Sequence, residues 1–209
     1  MRWVVLATDN LKNEFLSQGV KKEVDIEWIK ERPDFLQHRK ADAFFDLEFE
    51  NKTGEIALLK ELLPAPVFIN NAVLDDKETS AFISFLAWPT FLQREIAELS
   101  AGENHRPEAE KIMELLNRKT AWCNNAKSFI SARVVAMIIN EAYMALEEGI
   151  ASKQDIDIAM QLGTHYPHGP FAWAQKIGYK RIAGLLENLS CTDERYRPCR
   201  LLQAEITKS

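Results

Sequence analysis

Short apolar segments that read as strands alternate with helical patterns over the first 124 residues, whereas only helical patterns follow. The run from Trp3 to Thr8 is rich in valine and predicts a buried strand. Leu11, Phe15 and Leu16 then lie at helical spacing. This alternation favours an open, mostly parallel α/β sheet, because parallel strands need a crossover between them. Further strands are predicted at residues 24–29, 43–49, 67–70, 81–87 and 120–123, and further helices at 55–63 and from Pro107.

The second part of the chain contains helical patterns alone. Residues 129–146 are apolar on nearly every side, which is typical of a helix buried on most sides or shared between two subunits. Ser152 and Asp155 form a capping box that begins another helix, which runs to Gly163. The change of character lies near residues 124 and 125, so we expect two domains, residues 1–124 and 125–209. Three more helices are predicted at 170–178, 179–189 and 198–206.

Composition and charge exclude several classes of protein. The 26 basic and 31 acidic side chains give a net charge of −5, so we expect neither nucleic acid nor a membrane as partner. No apolar run approaches the roughly 20 residues that span a bilayer, and the first residues do not form a signal peptide. The three cysteines lack a CxxC spacing, which predicts neither disulfides nor a zinc site. We expect a reduced, cytoplasmic protein.

Glycine is scarce in this chain. There are eight glycines, of which Gly19 and Gly54 alone fall in the first hundred residues, and no Gly-x-Gly occurs. A dinucleotide fingerprint and a Walker P-loop both need glycines, because the backbone must approach a phosphate closely. The sequence therefore contains neither motif.

Several polar residues of the second part are predicted to have structural roles. His165 and His168 do not predict a metal site, because a proline between them breaks the helical spacing and no third ligand is evident. Asp155 and Asp157 predict helix capping and a solvated face. Arg133 lies in an apolar helix, where we expect a carboxylate partner in preference to a substrate contact.

One ordered set of residues in this part resembles a known family. The set consists of Asp155-Ile156-Asp157, Ala159-Met160, Gly163, Tyr166-Pro167 and Gly169-Pro170-Phe171, preceded by Phe129-Ile130, Arg133, Asn140-Glu141-Ala142, Glu148-Gly149 and Ala151-Ser152. These residues resemble the C-terminal helical domain of the 3-hydroxyacyl-CoA dehydrogenase family, and the resemblance covers residues 120–180. The first part is similar more loosely, at residues 41–47, 66–71 and 85–89.

The resemblance implies a fold, a chemistry and a partner. The fold is α/β + α, with a reduced Rossmann-like parallel sheet domain followed by an all-helical dimerisation domain. The family oxidises a 3-hydroxyacyl-CoA with NAD: a histidine takes the hydroxyl proton, a glutamate orients it, and serine and asparagine hold the substrate oxygen. A homodimer through the helical domain and an acyl-CoA-like ligand are therefore expected.

This sequence departs from the family at the positions that do the chemistry. Phe85 stands at the histidine position, and Pro89 fixes that frame. The glutamate position falls on Ala97, with Glu98 one residue away. Loss of such a base removes a factor of ~10²–10⁴ in rate. The cleft positions given by the resemblance are Asn71, Val73, Phe85, Trp88, Ala97 and Ala132, with Glu98 and Arg133 as further polar candidates.

The segments that would bind the cofactor also differ from the family's pattern. The chain reads Ala7-Thr8-Asp9-Asn10 after the first strand, where Asp9 would place a carboxylate against a pyrophosphate. The connection between the second strand and Ala41 is about a dozen residues, shorter than the family's. NAD is expected as a cofactor only if the family's activity survives.

Three hypotheses follow. The chain is a dehydrogenase-like protein that has lost its chemistry and still binds an acyl-CoA or a related ligand. Alternatively, it is an active dehydrogenase that uses displaced residues such as Glu98 or Glu95. In the third hypothesis it is a dimeric interaction module whose former cleft is filled by Phe85 and Trp88.

Overall fold

The computed structural model describes residues 1–74, 77–123 and 127–207. The chain divides into two compact units, Met1–Phe129 and Ile130–Ser209. The boundary predicted between residues 124 and 125 falls outside the described residues.

The first unit is built on a twisted sheet whose described strands number seven. The order is β2-β1-β3-β4-β5-β6-β7, and all neighbours are parallel except β5 and β6. The strands are β1 (Arg2–Leu6), β2 (Asp25–Ile29), β3 (Ala43–Asp46), β4 (Val67–Asn70), β5 (Ile83–Phe85), β6 (Ile96–Ser100) and β7 (Lys119–Trp122). The helices of this unit are α1 (Asp9–Leu16), α2 (Thr53–Lys60) and α3 (Arg106–Leu115), with a 3-10 helix at Arg32–His38.

Both faces of this sheet are covered, so its central strands are apolar on both sides. Trp3 and Val5 of β1 point into one core, which α1 and α3 cover; Val4 and Leu6 point into the other, which α2 and the 3-10 helix cover. Aromatic rings fill the first core: Phe45 stacks on Phe68 with ring centroids 4.5 Å apart. The sheet is thus a rigid platform whose strand ends are fixed in position.

The second unit consists of helices in its described part. Five α-helices follow one another: α4 (Ile130–Glu147), α5 (Lys153–Thr164), α6 (Pro170–Ile177), α7 (Tyr179–Ser190) and α8 (Arg200–Ile206). Four of them bury side chains against one another, whereas α5 has no buried residue. Within the described ranges, no helix is long and apolar enough to cross a membrane.

The predicted fold class, α/β followed by α, is confirmed. Two predicted strands are too long: β3 ends at Asp46 and β5 spans only Ile83–Phe85. The Asp46 carboxylate accepts the N–H of Glu48 at 3.1 Å, and this local turn ends β3. Sequence analysis missed β6 and the 3-10 helix altogether.

Candidate functional site

The carboxyl ends of the parallel strands are where open α/β sheets bind ligands. At the end of β1 the chain turns into α1 through Thr8, whose hydroxyl accepts the N–H of Leu11 at 3.4 Å. Asp9 is exposed in the first turn of α1. Its carboxylate suits the positive end of a helix but repels a phosphate there. With two side chains in place of glycines, this turn does not fit the pyrophosphate of NAD.

An ion cluster fills the sheet edge beside that turn. Asp46 ends β3, next to β1, and is fully buried. Arg32 donates to both its oxygens, with Nε 2.5 Å from Oδ2 and Nη2 3.2 Å from Oδ1. A third hydrogen bond joins Arg32 Nη1 to Glu55 Oε1 at 2.7 Å. Burial alone would lower the pKa of Arg32, but the hydrogen bond and charge of Asp46, with the charge of Glu55, raise it above its ordinary value.

Asn70, at the end of β4, links two segments at the same edge of the sheet by hydrogen bonds. Its amide group donates to the carbonyls of Leu47 and Ala87 at 2.9 and 3.2 Å, and its oxygen accepts the N–H of Ala87 at 3.1 Å. The side chain therefore joins the segment after β3 to the segment after β5. Sequence analysis missed Asn70; a polar residue at the end of an apolar strand was the available signal.

Asn71 and Val73 lie in the loop after β4. The Asn71 oxygen accepts the N–H of Val73 at 3.2 Å, and its amide group lies 3.4 Å from the Thr79 hydroxyl. Val73 forms an isolated antiparallel β-bridge with Ser128, near the end of the first unit. Asn71 is buried and engaged within this loop.

Phe85, at the expected histidine position, belongs to the core. It is 1% exposed and packs edge-on against Phe68 with ring centroids 6.4 Å apart. Leu99 of β6 is its cross-strand partner. Trp88 is buried as well and packs edge-on against Phe91 at 6.1 Å. Both bulky side chains are interior residues of the first unit.

The two candidates for the glutamate position occupy opposite faces of β6. Ala97 points into the same core as Phe85, so the structure brings these two positions together. Glu98 is 7% exposed, with its Oε1 3.7 Å from Arg94 and its Oε2 3.8 Å from the Cys123 thiol. Glu95 is exposed and pairs with Lys119 at 2.5 Å.

Ala132 and Arg133 lie on α4 of the second unit. Ala132 is fully buried. Arg133 stacks over the ring of Tyr196, with its guanidinium carbon 4.7 Å from the centroid. In residues 1–74, 77–123 and 127–207 no carboxylate lies within ion-pair distance of Arg133. The described residues thus give this half-buried cation a cation–π contact and do not provide the predicted carboxylate partner.

The acidic residues of the family motif cap helices. Ser152 caps α5 by accepting the N–H of Asp155 at 3.2 Å. Asp157 reaches across to α6, where its two oxygens accept the N–H groups of Phe171 and Ala172 at 2.8 and 3.1 Å. A Cβ on Gly169 would lie 2.3 Å from the Asp157 carboxyl carbon, so this position needs glycine. Predicted capping is thus confirmed, and Asp157 caps a neighbouring helix.

The two histidines of this region lie at the end of α5 and in the segment before α6. His165 ends α5 in the left-handed conformation at φ 57°. His168 packs edge-on against Trp173 at 6.1 Å; burial there, and next the charge of Lys176, lower its pKa. Within the residues that the structure describes, no cluster of His, Cys, Asp or Glu could hold a metal ion.

Comparison with known proteins agrees with the motif. A model of the 3-hydroxyacyl-CoA dehydrogenase C-terminal domain matches residues 129–208. A 3-hydroxyadipyl-CoA dehydrogenase from Escherichia coli (strain K12) is 60% identical over 73 residues, which are 34% of this chain and 15% of that protein. Residues 129–208 are therefore similar to the C-terminal domain of the 3-hydroxyacyl-CoA dehydrogenase family.

Other similarities cover more of the chain. A probable 3-hydroxybutyryl-CoA dehydrogenase from Bacillus subtilis (strain 168) is 34% identical over 113 residues, 53% of this chain and 39% of that protein. An (S)-3-hydroxybutyryl-CoA dehydrogenase structure from Ralstonia eutropha superimposes with a TM-score of 0.73 at 17% identity, covering 99% of this chain and 93% of that one. The chain therefore shares the fold of this dehydrogenase structure. It matches less than half the length of the Escherichia coli and Bacillus subtilis relatives.

Proposed function

We propose that this dehydrogenase-family chain does not carry out hydride transfer and that it retains binding of an acyl-CoA or a related ligand. One observation supports the proposal: Phe85, which the resemblance places at the histidine position, is packed in the sheet core. A phenyl ring cannot accept a proton, so the hydroxyl of a 3-hydroxyacyl group would have no base there.

The two glutamates considered as alternative bases are poorly suited to replace a histidine at position 85. Glu98 lies on the opposite face of β6 from Ala97 and is held beside Arg94. Glu95 is exposed and paired with Lys119. Neither carboxylate shares the core face of Phe85, which disfavours an active enzyme with displaced residues.

The sheet edge at the turn between β1 and α1 also supports the proposed loss of hydride transfer. Asp9 places negative charge at the start of α1, and the Arg32 cluster occupies the adjoining strand end. NAD would meet repulsion where the family provides backbone amides. We therefore propose no NAD site in this chain.

A second candidate, a dimeric interaction module, is favoured by α5. None of its twelve residues is buried, although several are apolar. We propose that the helical unit self-associates through this helix, as the family resemblance implies.

Enzyme assays and thermal shifts test the proposal. Purified chain is assayed with NADH and acetoacetyl-CoA, and melted with NADH, NADPH, CoA or acetoacetyl-CoA at millimolar concentration. A ligand at 100 times its Kd stabilises by ~2.7 kcal/mol, which moves the midpoint by a few degrees. We expect a shift with acetoacetyl-CoA and none with NADH. NADH oxidation at rates typical of dehydrogenases would overturn the loss of chemistry, and flat melts with both CoA compounds would overturn ligand binding.

A further inference from the structure

The hydroxyl of Ser128 is buried without a hydrogen-bond partner. Ser128 is 4% exposed, and among the described residues no donor or acceptor lies within hydrogen-bond distance of its Oγ. Most buried polar groups in folded proteins are paired, because burial costs them their hydrogen bonds to water. A serine hydroxyl can donate one hydrogen bond and accept others. Ser128 therefore has a hydrogen-bonding capacity that the described part of the chain leaves unused.

An isolated bridge places this hydroxyl beside Val73. The Leu74 N–H donates to the Lys127 carbonyl at 2.9 Å, next to the antiparallel bridge between Val73 and Ser128. In such a ladder the bridged residues form a non-hydrogen-bonded pair, whose side chains lie on the same face with Cβ atoms roughly 5 Å apart. Val73 is half-buried. A small group that reaches Val73 from solvent is thus within reach of the Ser128 hydroxyl.

The surroundings of the hydroxyl indicate the chemistry of its partner. The buried residues of the two bridged segments are uncharged: Asn71 and Ala72 on one, Phe129 on the other. The Asn71 oxygen already accepts the N–H of Val73. A single neutral hydroxyl beside an aliphatic side chain solvates a charged group poorly. It suits a neutral oxygen carried on a short aliphatic chain.

We propose that the Ser128 hydroxyl donates a hydrogen bond to the C3 oxygen of a 3-oxoacyl thioester, and so selects this ligand over an acyl-CoA without that oxygen. The inference rests on the acyl-CoA binding proposed above and names the group that is recognised. The resemblance places a serine at position 73, where this chain has valine. The hydroxyl stands directly across the bridge instead, on Ser128.

Calorimetric titration of the full chain with two ligands tests the proposal. Acetoacetyl-CoA carries the C3 oxygen, and butyryl-CoA has the same chain length without it. We expect the wild-type chain to bind acetoacetyl-CoA about tenfold more tightly, the effect of one neutral hydrogen bond. Ser128→Ala should weaken the binding of acetoacetyl-CoA about tenfold and leave that of butyryl-CoA unchanged.

Two controls accompany the titration. Ser80→Ala removes an exposed hydroxyl from the loop after β4, where it donates to the Lys77 carbonyl at 2.7 Å, and should leave both affinities unchanged. The melting temperature of the free Ser128→Ala chain should not fall, because the hydroxyl that it loses has no partner in the folded chain. A clear fall would show that the hydroxyl is already paired, which would overturn the inference.

The outcomes separate this inference from the proposed function. If the wild-type chain binds neither ligand, the proposed acyl-CoA binding is overturned, and the inference with it. If it binds acetoacetyl-CoA and Ser128→Ala leaves that affinity unchanged, the inference alone is overturned. Equal weakening of both ligands by Ser128→Ala would overturn the assignment of the hydroxyl to the C3 oxygen.

Discussion

At the scale of the residue, the contact between Asp157 and Gly169 explains why two separated motif positions occur together. Asp157 satisfies two N–H groups at the start of α6, and the backbone approaches so closely that a side chain at 169 has no space. These two motif residues thus fix how α5 meets the start of α6.

A double-mutant cycle tests this coupling. Asp157→Ala removes a helix cap and should cost about 0.5–2 kcal/mol. Gly169→Ala should cost about 1–3 kcal/mol through overpacking. The double variant should be more stable than the sum predicts, because the clash disappears with the carboxylate. Urea unfolding followed by circular dichroism measures all three, and strict additivity would contradict the proposed contact.

His168 gives a prediction about pH. Its folded-state pKa is lowered below 6.5, so the unfolded chain binds more protons as pH falls through that value. The contribution of His168 to stability is therefore complete at neutral pH and declines below pH 6.5. We expect His168→Gln to flatten the rise in melting temperature between pH 5 and 7. Parallel curves for variant and wild type would refute this contribution.

At the scale of the element, the strands and helices were predictable where apolar residues repeat. The valine-rich β1 and the apolar α4 were found from their patterns alone. β6 was missed because Glu98 and Ser100 interrupt its apolar pattern, although the strand is largely buried in the sheet between β5 and β7. At the candidate site the assignment of Phe85 to the histidine position stays a prediction, and the roles of Arg32 and Asn70 depend on tertiary contacts that no local pattern records.

The buried guanidinium group of Arg118 also joins several elements of the first unit through hydrogen bonds. Arg118 donates to backbone carbonyls from α1, from the loop before β6 and from the end of α3, among them Glu14, Phe15 and Leu92. Its desolvation lowers the pKa to about 10, so it remains charged at neutral pH. A cation suits the carbonyl end of α1.

Replacing this arginine should destabilise the first unit. Arg118→Met leaves several buried carbonyls without donors, and we expect a loss of more than about 3 kcal/mol. The control is Arg39→Met, at an exposed pair with Glu61, which should change stability by less than about 1 kcal/mol. Tryptophan fluorescence during urea unfolding reports the difference, because four of the five tryptophans lie in this unit. Equal effects of the two substitutions would rule out the special role of Arg118.

At the scale of the whole molecule, the chain shares the fold of a solved (S)-3-hydroxybutyryl-CoA dehydrogenase, with a TM-score of 0.73 over 99% of its length. We propose that it keeps this fold without the chemistry, because Phe85 and Ala97 stand where the resemblance places the histidine and the glutamate. In that proposal, association through the helical unit is what the chain still provides.

Self-association is the corresponding prediction. Sedimentation at micromolar concentration should give a particle of twice 23.9 kDa when the chain is alone. Ile158→Glu should shift it to monomer, because a charge on the α5 surface opposes burial of that surface. Ile96→Glu should leave the dimer intact. A dimer that resists Ile158→Glu would assign the interface elsewhere.

The ion cluster of Arg32 has a consequence for the history of this chain. Removing Arg32 would leave Asp46 and Glu55 as unpaired carboxylates in the interior, at a cost of about 3–5 kcal/mol. Glycines restored at the turn before α1 would still face that cluster. A nucleotide-binding edge would thus require changes in the cluster as well as at the turn, and the loss of Arg32 alone lowers stability. The cluster would act as a ratchet against regaining the chemistry that we propose this chain has lost.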